Sequence, residues 1–271
     1  MPYETFSNIN RILKFKFLLS TKTPFLIRGA EKKFSVSEND MEFIRNESGE
    51  IYIPGSSLRG FFRSNAERIA RSLGKYVCDI IQNPCSKKEE SIDKTEEKKK
   101  FNPRTEIYCD TCELFGNTNI GSRIFFEDAY LLPLNSNTPI FDRRVGIAIN
   151  RKTQSVRHGP FTFETLIEGT QFLVQGIIRN FTITDLALLK LTIDMANQGL
   201  IRLGAFKSKG YGGIQLTPYS TQNESSYIMI FGKKTESLLE TSHCKVQIGA
   251  SKTTIKLLLQ RNMSQEELNT I

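Results

Sequence analysis

Four cysteines of the sequence are spaced so that they could share one metal ion. Cys109 and Cys112 form a Cys-x-x-Cys pair, and Cys78 and Cys85 form a wider pair with six intervening residues. Thiolates two residues apart can chelate Zn²⁺ with tetrahedral geometry, so we expect a structural zinc ion that holds a segment without a core of its own. The wider spacing is not that of a standard zinc knuckle. Four unrelated buried or loop thiols therefore remain the alternative, and His158 is available to replace one cysteine.

Glycine is concentrated between residues 199 and 213, where five of the 18 glycines occur. Glycine lets backbone N–H groups approach a phosphate closely. Arg202, Lys207 and Lys209 add positive charge beside Gly210. This pattern favours contact with a nucleic-acid backbone, and a tight connection between a helix and a strand is the alternative.

A second basic segment covers residues 143–168. Its basic residues are Arg143, Arg144, Arg151, Lys152, Arg157 and His158, and its acidic residues are Glu164 and Glu168. Apolar residues alternate at Val145, Ile147 and Ile149, and others occur at Val156, Phe161 and Phe163. An exposed basic hairpin is the simplest interpretation of this segment.

Hydrophobic periodicity predicts the elements that must position these residues. Alternating apolar residues predict strands over residues 11–19, 122–131, 169–180 and 213–216. Helical spacing from Leu58 to Gly74 predicts a first helix with Ser56 or Ser57 as its cap. A second helix is predicted over residues 184–197, with Thr184 as its cap and Gly199 after its end.

The order of these elements is strand, helix, strand, strand, helix, strand. This order predicts an α+β protein with a ferredoxin-like or RRM-like core, which is interrupted by long insertions at 20–50, 74–120 and 140–168. Single-stranded RNA is often bound on such a sheet. Residues 218–271 form a C-terminal extension of unknown role.

Composition limits the class of protein. The chain has 271 residues with a formal net charge of +8, and ordinary proportions of charged (24%) and hydrophobic (39%) residues exclude a disordered or fibrous chain. The basic charge favours a polyanionic partner. No apolar run approaches the length of a membrane span, and the first residues lack the layout of a signal peptide. We therefore expect a cytoplasmic protein without disulfides, in which Cys244 is a free thiol.

Five segments, taken together and in order, match the pattern of one known family. They are Ile-Pro-Gly-Ser-Ser-Leu-Arg-Gly at 53–60, Cys-Glu-Leu-Phe-Gly at 112–116, Arg-Ile-Phe-Phe-Glu-Asp-Ala at 123–129, Gly-Leu-Ile-Arg-Leu-Gly at 199–204 and Lys-Ser-Lys-Gly-Tyr-Gly at 207–212. They resemble the helix entry, the Cys-x-Leu-Phe-Gly element, the Asp-Ala strand and the glycine-rich loop of the RAMP superfamily. That family comprises the RNA-binding subunits of CRISPR effector complexes, and the spacing here resembles its filament-forming type III branch.

The resemblance implies a RAMP domain over residues 10–217 that binds a CRISPR guide RNA through its sheet, first helix and glycine-rich loop, without reading its sequence. Arg59 and Arg63 on the first helix are the implied contacts to guide phosphates, with Ser56 and Ser57 adding hydroxyl or N–H contacts. The segment 143–168 would be a projecting hairpin, or thumb, that wedges into the guide–target duplex. Arg151, Lys152 and Arg157 would hold phosphates there. The implied partners are guide RNA, complementary target RNA, other RAMP subunits and further copies of this chain, and a zinc ion in the cysteine segment is common in the family.

The resemblance also implies an activity. In cleaving members of this branch a loop aspartate precedes the Ile-Pro-Gly-Ser-Ser turn, and Asp40, followed by Arg45, fits that register. Asp40 would then serve metal-dependent cleavage of target RNA by holding Mg²⁺ or another divalent cation, or by helping to activate the ribose 2′-OH. Glu38 and Glu42 are the nearby substitutes.

Three other functions remain open at the level of sequence. The subunit could bind guide RNA and be catalytically inert, or it could be a free-standing endoribonuclease that matures the guide precursor. Such an enzyme commonly uses a histidine near the first strand or helix, whereas this chain has only His158 and His243. A generic zinc-containing nucleic-acid-binding protein would require the five-segment register to arise by chance.

Overall fold

The computed structural model describes most of the chain, with gaps. The described residues are 9, 11–29, 41–82, 84–85, 108–133, 140–219, 226–230, 244–248 and 251–255. For residue 158 and the three segments after residue 225, the description concerns the backbone.

The described part of the chain is a mixed α+β fold, as the sequence predicts. Its strands are β1 Arg11–Thr21, β2 Tyr52–Ile53, β3 Ile124–Phe126, β4 Ala129–Leu131, β5 Phe141–Ile149, β6 Val156–Leu166, β7 Gln171–Arg179, β8 Ile214–Pro218, β9 Ser226–Ile230, β10 Cys244–Ile248 and β11 Ser251–Ile255. Its helices are α1 Gly55–Ser72, α2 Asp110–Phe115 and α3 Ile183–Asn197, and Lys207–Lys209 form a 3₁₀ turn.

A nine-stranded sheet organises the described residues. Strand β1 pairs antiparallel with β7 along one edge and with β8 and β9 along the other. Strand β7 also pairs antiparallel with β3 and β4, and β2 pairs with β4 at the border. Strands β10 and β11 extend the other border through a parallel pairing of β9 with β10. Strands β5 and β6 form a separate antiparallel hairpin.

One face of the sheet is buried under α1 and α3. The register pairs Phe17 with Val174 and Leu19 with Phe172, so these apolar side chains lie in adjacent rows on that face. They form one core with residues of the helices, including Leu58 and Phe62 of α1 and Leu188 and Ile193 of α3. Removing this apolar surface from water is what holds the two helices against the sheet.

Both predicted helix caps are wrong. The N-cap of α1 is Pro54 rather than Ser56 or Ser57, and Asp128 accepts a hydrogen bond from the N–H of Gly55 at 2.7 Å. The N-cap of α3 is Thr182, not Thr184, and it forms a reciprocal capping box with Asp185. At the start of α1, the hydrogen-bond acceptor is a carboxylate from another part of the chain. At the start of α3, two nearby threonines could each have been the cap. The local sequence was therefore insufficient to identify either cap.

The other differences concern short elements. The strand predicted over 122–131 is divided into β3 and β4, and the sequence analysis did not predict α2. The division at residues 217 and 218 between a RAMP domain and an extension remains a prediction. Among the described residues, no helix has the length and apolarity required to cross a membrane.

Candidate metal centre and nucleic-acid interface

The four cysteines predicted as metal ligands lie together beside helix α1. Cys78 and Cys85 follow this helix in the chain, Cys109 is the N-cap of α2, and Cys112 lies in its first turn. All four are buried, and their sulfur atoms all lie within 4.8 Å of one another. The fold thus gathers two cysteine pairs that are far apart in sequence.

The spacing of the sulfur atoms suits a tetrahedral ion. The Sγ atom of Cys78 is 3.4 Å from that of Cys112 and 3.8 Å from that of Cys109. Zinc–sulfur bonds of about 2.3 Å place the sulfurs of a tetrahedral site about 3.8 Å apart. The N–H of Cys109 also donates to Sγ of Cys85 at 3.4 Å. This donor set, soft and buried, fits Zn²⁺.

Protonation of the cluster follows from burial and from contacts between the thiols. Burial raises the pKa of Cys85 to about 12, so this thiol is protonated at neutral pH. A hydrogen bond with Cys112 lowers the pKa of Cys109 to about 3 and raises the pKa of Cys112. Cys109 is therefore the thiol that loses its proton most readily, whereas Cys85 and Cys112 hold theirs more tightly. A divalent cation would replace those protons and allow the thiolates to ligate together.

Two arginines connect helix α1 to this cluster. Arg59 donates to the carbonyl oxygen of Phe115, the last residue of α2. Arg63 donates through Nη1 to the carbonyl of Gly116 at 2.8 Å and through Nη2 to Sγ of Cys112 at 3.7 Å. The sequence analysis assigned both arginines to guide phosphates, which remains a prediction. In the structure both arginines bond to α2 or the residue that follows it, and Arg63 also bonds to Glu67 of α1.

A groove of about 620 Å³ lies on another side of α1, between this helix and the glycine-rich loop. The helix contributes Ser57, Ser64 and Arg68 to its lining. The loop contributes Arg202, Gly204, Lys207 and Ser208. The fold therefore brings together three of the residues predicted to bind RNA, which are Ser57, Arg202 and Lys207.

The glycine-rich loop is held in shape by its own contacts. Arg202 donates through Nη1 to the carbonyl of Gly210 at 2.7 Å and reaches that of Tyr211 at 3.4 Å, so part of its donor capacity is used within the loop. Lys209 lies with Nζ 5.0 Å from the ring centroid of Phe206. Gly212 has a φ of +80°, and a Cβ at this position would collide with the carbonyl of Leu203. These contacts fix the backbone path that borders the groove.

Arg68 and Ser64 are groove residues that the sequence analysis missed. With Ser57 they occupy positions i, i+7 and i+11 of α1, which share one face of a helix. Both are exposed, whereas the apolar residues used to predict the helix lie on its buried side. The sequence contained a signal for these residues, because Ser57, Ser64 and Arg68 form a polar stripe at helical spacing. Ser56, Lys209 and Gly210, which the sequence analysis also predicted to bind RNA, do not line the groove.

The basic segment 143–168 contains the hairpin of β5 and β6. Arg151, Lys152 and Arg157 are exposed at and near its tip. Arg144 is held at its base, where it donates to Asp142 at 2.9 Å and lies 5.7 Å from the ring centroid of Tyr211. The side chain of His158 lies outside the described residues.

The apolar residues of the hairpin divide into two groups. Phe163 is buried and packs against Phe206 and Tyr211 of the glycine-rich loop, with ring centroids 5.0 and 6.1 Å away. Phe161 lies against Phe163 at 6.1 Å. The exposed apolar side chains are instead Val145, Ile147, Ile149 and Val156. The phenylalanines therefore anchor the hairpin to the loop, and the aliphatic residues form its solvent-facing apolar surface.

Asp40, the predicted catalytic residue, lies outside the described residues, as does Glu38. The segment that follows it is firmly anchored. The backbone of Met41 exchanges hydrogen bonds with β6 at Thr162 and Glu164. Arg45 forms a two-pronged ion pair with Glu164 at 2.9 and 3.0 Å and lies 4.6 Å from the ring centroid of Phe141. Residues 41–45 are thus attached to the base of the hairpin.

Comparison with known proteins connects these features to one family. Residues 18–215 match the model of the RAMP superfamily. The chain is also 28% identical over 222 residues to a curated protein of Methanocaldococcus jannaschii, the CRISPR system Cms endoribonuclease Csm3. The aligned region covers 76% of this chain and 80% of that relative.

Proposed function

The chain belongs to the RAMP superfamily, and we propose that it is a guide-RNA-binding backbone subunit of a type III CRISPR ribonucleoprotein that also cuts target RNA. The observation that carries this proposal is the groove between α1 and the glycine-rich loop. It has cations and hydroxyl groups that can contact a phosphate backbone, and the similarity to an archaeal CRISPR endoribonuclease supports the same assignment.

The groove suits a guide strand that is bound regardless of its sequence. Arg68, Lys207 and Arg202 supply positive charge along its two walls, and Ser57 and Ser64 supply hydroxyl groups. Such groups contact phosphate and ribose, which position a strand without distinguishing its bases. Base pairing would then select the target, as in other RNA-guided systems.

The core of this subunit is, in our proposal, ferredoxin-like. The supporting observation is the antiparallel strand order β8, β1, β7 and then β3 with β4, with α1 following β1 and α3 following β7. This arrangement corresponds to a split βαββαβ unit. Its insertions would be the loop before β2, the cysteine segment and the hairpin.

The hairpin of β5 and β6 would act as the thumb that enters the guide–target duplex. Exposed Arg151, Lys152 and Arg157 near its tip are available for phosphates, and the aliphatic surface formed by Val145, Ile147, Ile149 and Val156 is available to pack against unstacked bases. Its base is held by Phe163, which packs on the glycine-rich loop. A rigid base would let the tip displace base pairs at a fixed distance from the groove.

Two metal ions belong to the proposal. Zn²⁺ would be held by Cys78, Cys85, Cys109 and Cys112 and would stabilise the cysteine segment, which has little apolar core around it. Asp40 would hold a divalent cation such as Mg²⁺, and the bound cation would polarise a phosphate of the RNA. Asp40 directly precedes Met41, whose backbone pairs with β6 at the base of the thumb.

The experiment compares target-RNA cleavage by the reconstituted complex containing wild-type protein or the Asp40→Asn variant, in the presence of Mg²⁺. We expect cleavage to fall by about 10²-fold or more, because a ligand of the metal is removed. Retention of guide RNA should be unchanged. Glu47→Gln is the matched control, since Glu47 is an exposed carboxylate in the same stretch of chain.

Other outcomes separate the alternatives. Unchanged cutting in the Asp40→Asn variant would remove Asp40 from the proposal and make Glu38 and Glu42 the next carboxylates to substitute. Guide binding by the wild-type protein with no cutting at all would identify an inert scaffold subunit. Processing of a guide precursor by the isolated chain would favour the guide-maturing enzyme.

A further inference from the structure

The face of the sheet that points away from α1 and α3 has a composition of its own. We call it the outer sheet face and define it by the alternate residues of the strands that do not join the core. From β1 these include Lys14, and from β7 they include Ile177 and Arg179. Phe125 of β3, Tyr130 of β4 and Tyr52 of β2 complete it at one border.

The aromatic residues of this face are exposed. Phe125 keeps 42% of its surface accessible and Tyr130 keeps 45%. Their neighbours in sequence, Ile124 and Ala129, are buried in the core, so the strands turn these rings outward. Tyr130 stacks against Tyr52 with ring centroids 5.8 Å apart and an interplanar angle of 25°. Two large ring systems therefore stand on a sheet surface without joining the core.

Positive charge accompanies the rings. The guanidinium carbon of Arg179 lies 4.9 Å from the ring centroid of Phe125. Lys14 lies in the same row, since β7 pairs Ile177 with Lys14 on one side and with Phe125 on the other. On β1, β2, β3, β4, β7 and β8, the positions of this face carry no carboxylate. The face therefore carries positive charge that complements a polyanion, and its exposed rings add the stacking surface that nucleic-acid bases use.

The spacing of the rings matches a short strand of stacked bases. Phe125 pairs with Ile177 and Tyr130 pairs with Leu173, four residues apart along β7. At about 3.3 Å per residue the two positions are about 13 Å apart. Stacked nucleotides rise about 3.4 Å each, so about four would extend from one ring to the other. Aromatic residues on a sheet with adjacent cations are a known means of binding single-stranded RNA.

We propose that the outer sheet face is a second RNA site, which binds single-stranded RNA by stacking bases on Phe125 and on the Tyr52–Tyr130 pair while Arg179 and Lys14 contact phosphates. This goes beyond the proposed function, in which the guide occupies the groove. The groove is lined by α1, which lies on the opposite side of the sheet. One strand in the groove and another on the outer sheet face could therefore be bound at the same time.

The test measures binding of the full-length protein to a fluorescent oligouridylate of about ten nucleotides. The protein carries the double substitution Arg68→Glu/Lys207→Glu, called the groove variant. These substitutions should abolish RNA binding in the groove, so the remaining binding reports the outer sheet face. Adding Phe125→Ala should weaken the remaining binding about tenfold, and adding Tyr130→Ala should do the same, since each removes a stacking partner. Phe125→Tyr should restore affinity. Tyr76→Ala, at another exposed aromatic residue, is the control that should change nothing.

Three results would overturn the proposal. The first is loss of all binding in the groove variant alone, because the outer sheet face would then bind no RNA. The second is equal affinity of the Phe125→Ala and Tyr76→Ala variants. The third is RNA affinity that survives Phe125→Ala while assembly with other subunits is lost, which would identify the face as a protein interface. Guide retention in the assembled complex is measured separately, so failure of the groove assignment remains distinguishable from failure of the second RNA site.

Discussion

At the scale of a single residue, Arg63 is a basic side chain whose hydrogen bonds reach the cysteine segment. Its Nη2 atom points at Sγ of Cys112, and Nη1 binds the carbonyl of Gly116. Its remaining contact is an ion pair with Glu67, at 2.9 Å. Donors to a metal-bound thiolate orient it and stabilise its charge. Arg63 is thus placed to support the proposed metal site, and its contact with a guide phosphate remains a prediction.

This assignment predicts that Arg63→Gln weakens zinc binding by about 10- to 100-fold. The measurement is competition with a chromophoric chelator, followed as the rate and extent of zinc release. Arg68→Gln is the matched control, because Arg68 lies on the same helix and lines the groove. It should keep zinc and lose affinity for guide RNA. Equal zinc retention by the two variants would contradict the role of Arg63.

At the scale of elements, helix α3 depends on its first turn. Thr182 accepts a hydrogen bond from the N–H of Asp185 at 3.2 Å, and Asp185 accepts one from the N–H of Thr182 at 2.8 Å. Asp185 also pairs with Arg123 at 3.4 Å, and Arg123 pairs with Glu113 of α2 at 3.3 Å. This largely buried network joins the start of α3 to the helix that carries Cys112. Removing one partner would leave a buried charge uncompensated.

The capping box gives a prediction with an internal control. Thr182→Ala should lower the free energy of unfolding by about 1 kcal/mol, because it leaves an N–H at the start of α3 without its acceptor. Thr184→Ala removes the threonine that the sequence analysis proposed as the cap, and it should change stability by less than about 0.5 kcal/mol. Urea unfolding followed by circular dichroism compares them. Comparable losses in both variants would mean that the cap does not explain the effect.

Elements with a regular apolar pattern were predictable from the sequence. Strands β1 and β7 carry apolar residues at alternate positions on one face, and both formed where expected. Helix α2 was missed because its six residues are too few to show a helical period. The cap of α1 was missed because its acceptor, Asp128, is 73 residues away from Gly55. Local patterns thus located the elements, whereas their ends depended on contacts made only in the folded chain.

The site residues divide in the same way. The four cysteines were recognisable because their chemistry is specific, and the glycine-rich loop because its composition is unusual. Arg59 and Arg63 carry no local sign of the direction in which they point, so their contacts with α2 could not be foreseen. The sequence showed Phe161 and Phe163 only as apolar residues of the basic segment, whereas in the structure Phe163 is buried against Phe206. Which face a hairpin residue occupies depends on what the hairpin packs against.

At the scale of the whole molecule, helix α1 is shared by the two sites. One side of it contacts the cysteine cluster through Arg59 and Arg63, and another side lines the groove through Ser57, Ser64 and Arg68. A packed helix transmits a displacement between its sides because its neighbours leave little free space. Loss of the metal should therefore affect binding of the guide without any metal–RNA contact.

We expect removal of zinc by a chelator to weaken guide-RNA binding about tenfold, within the range of ordinary coupling between sites, and to increase hydrogen exchange of the amides of α1. Chelator already saturated with zinc is the first control. The second is Cys85→Ser, which should bind guide as weakly as the chelated wild type and show no further response to chelator. If zinc leaves while guide affinity and exchange in α1 stay constant, the two sides of the helix are energetically independent. The metal would then stabilise only the cysteine segment.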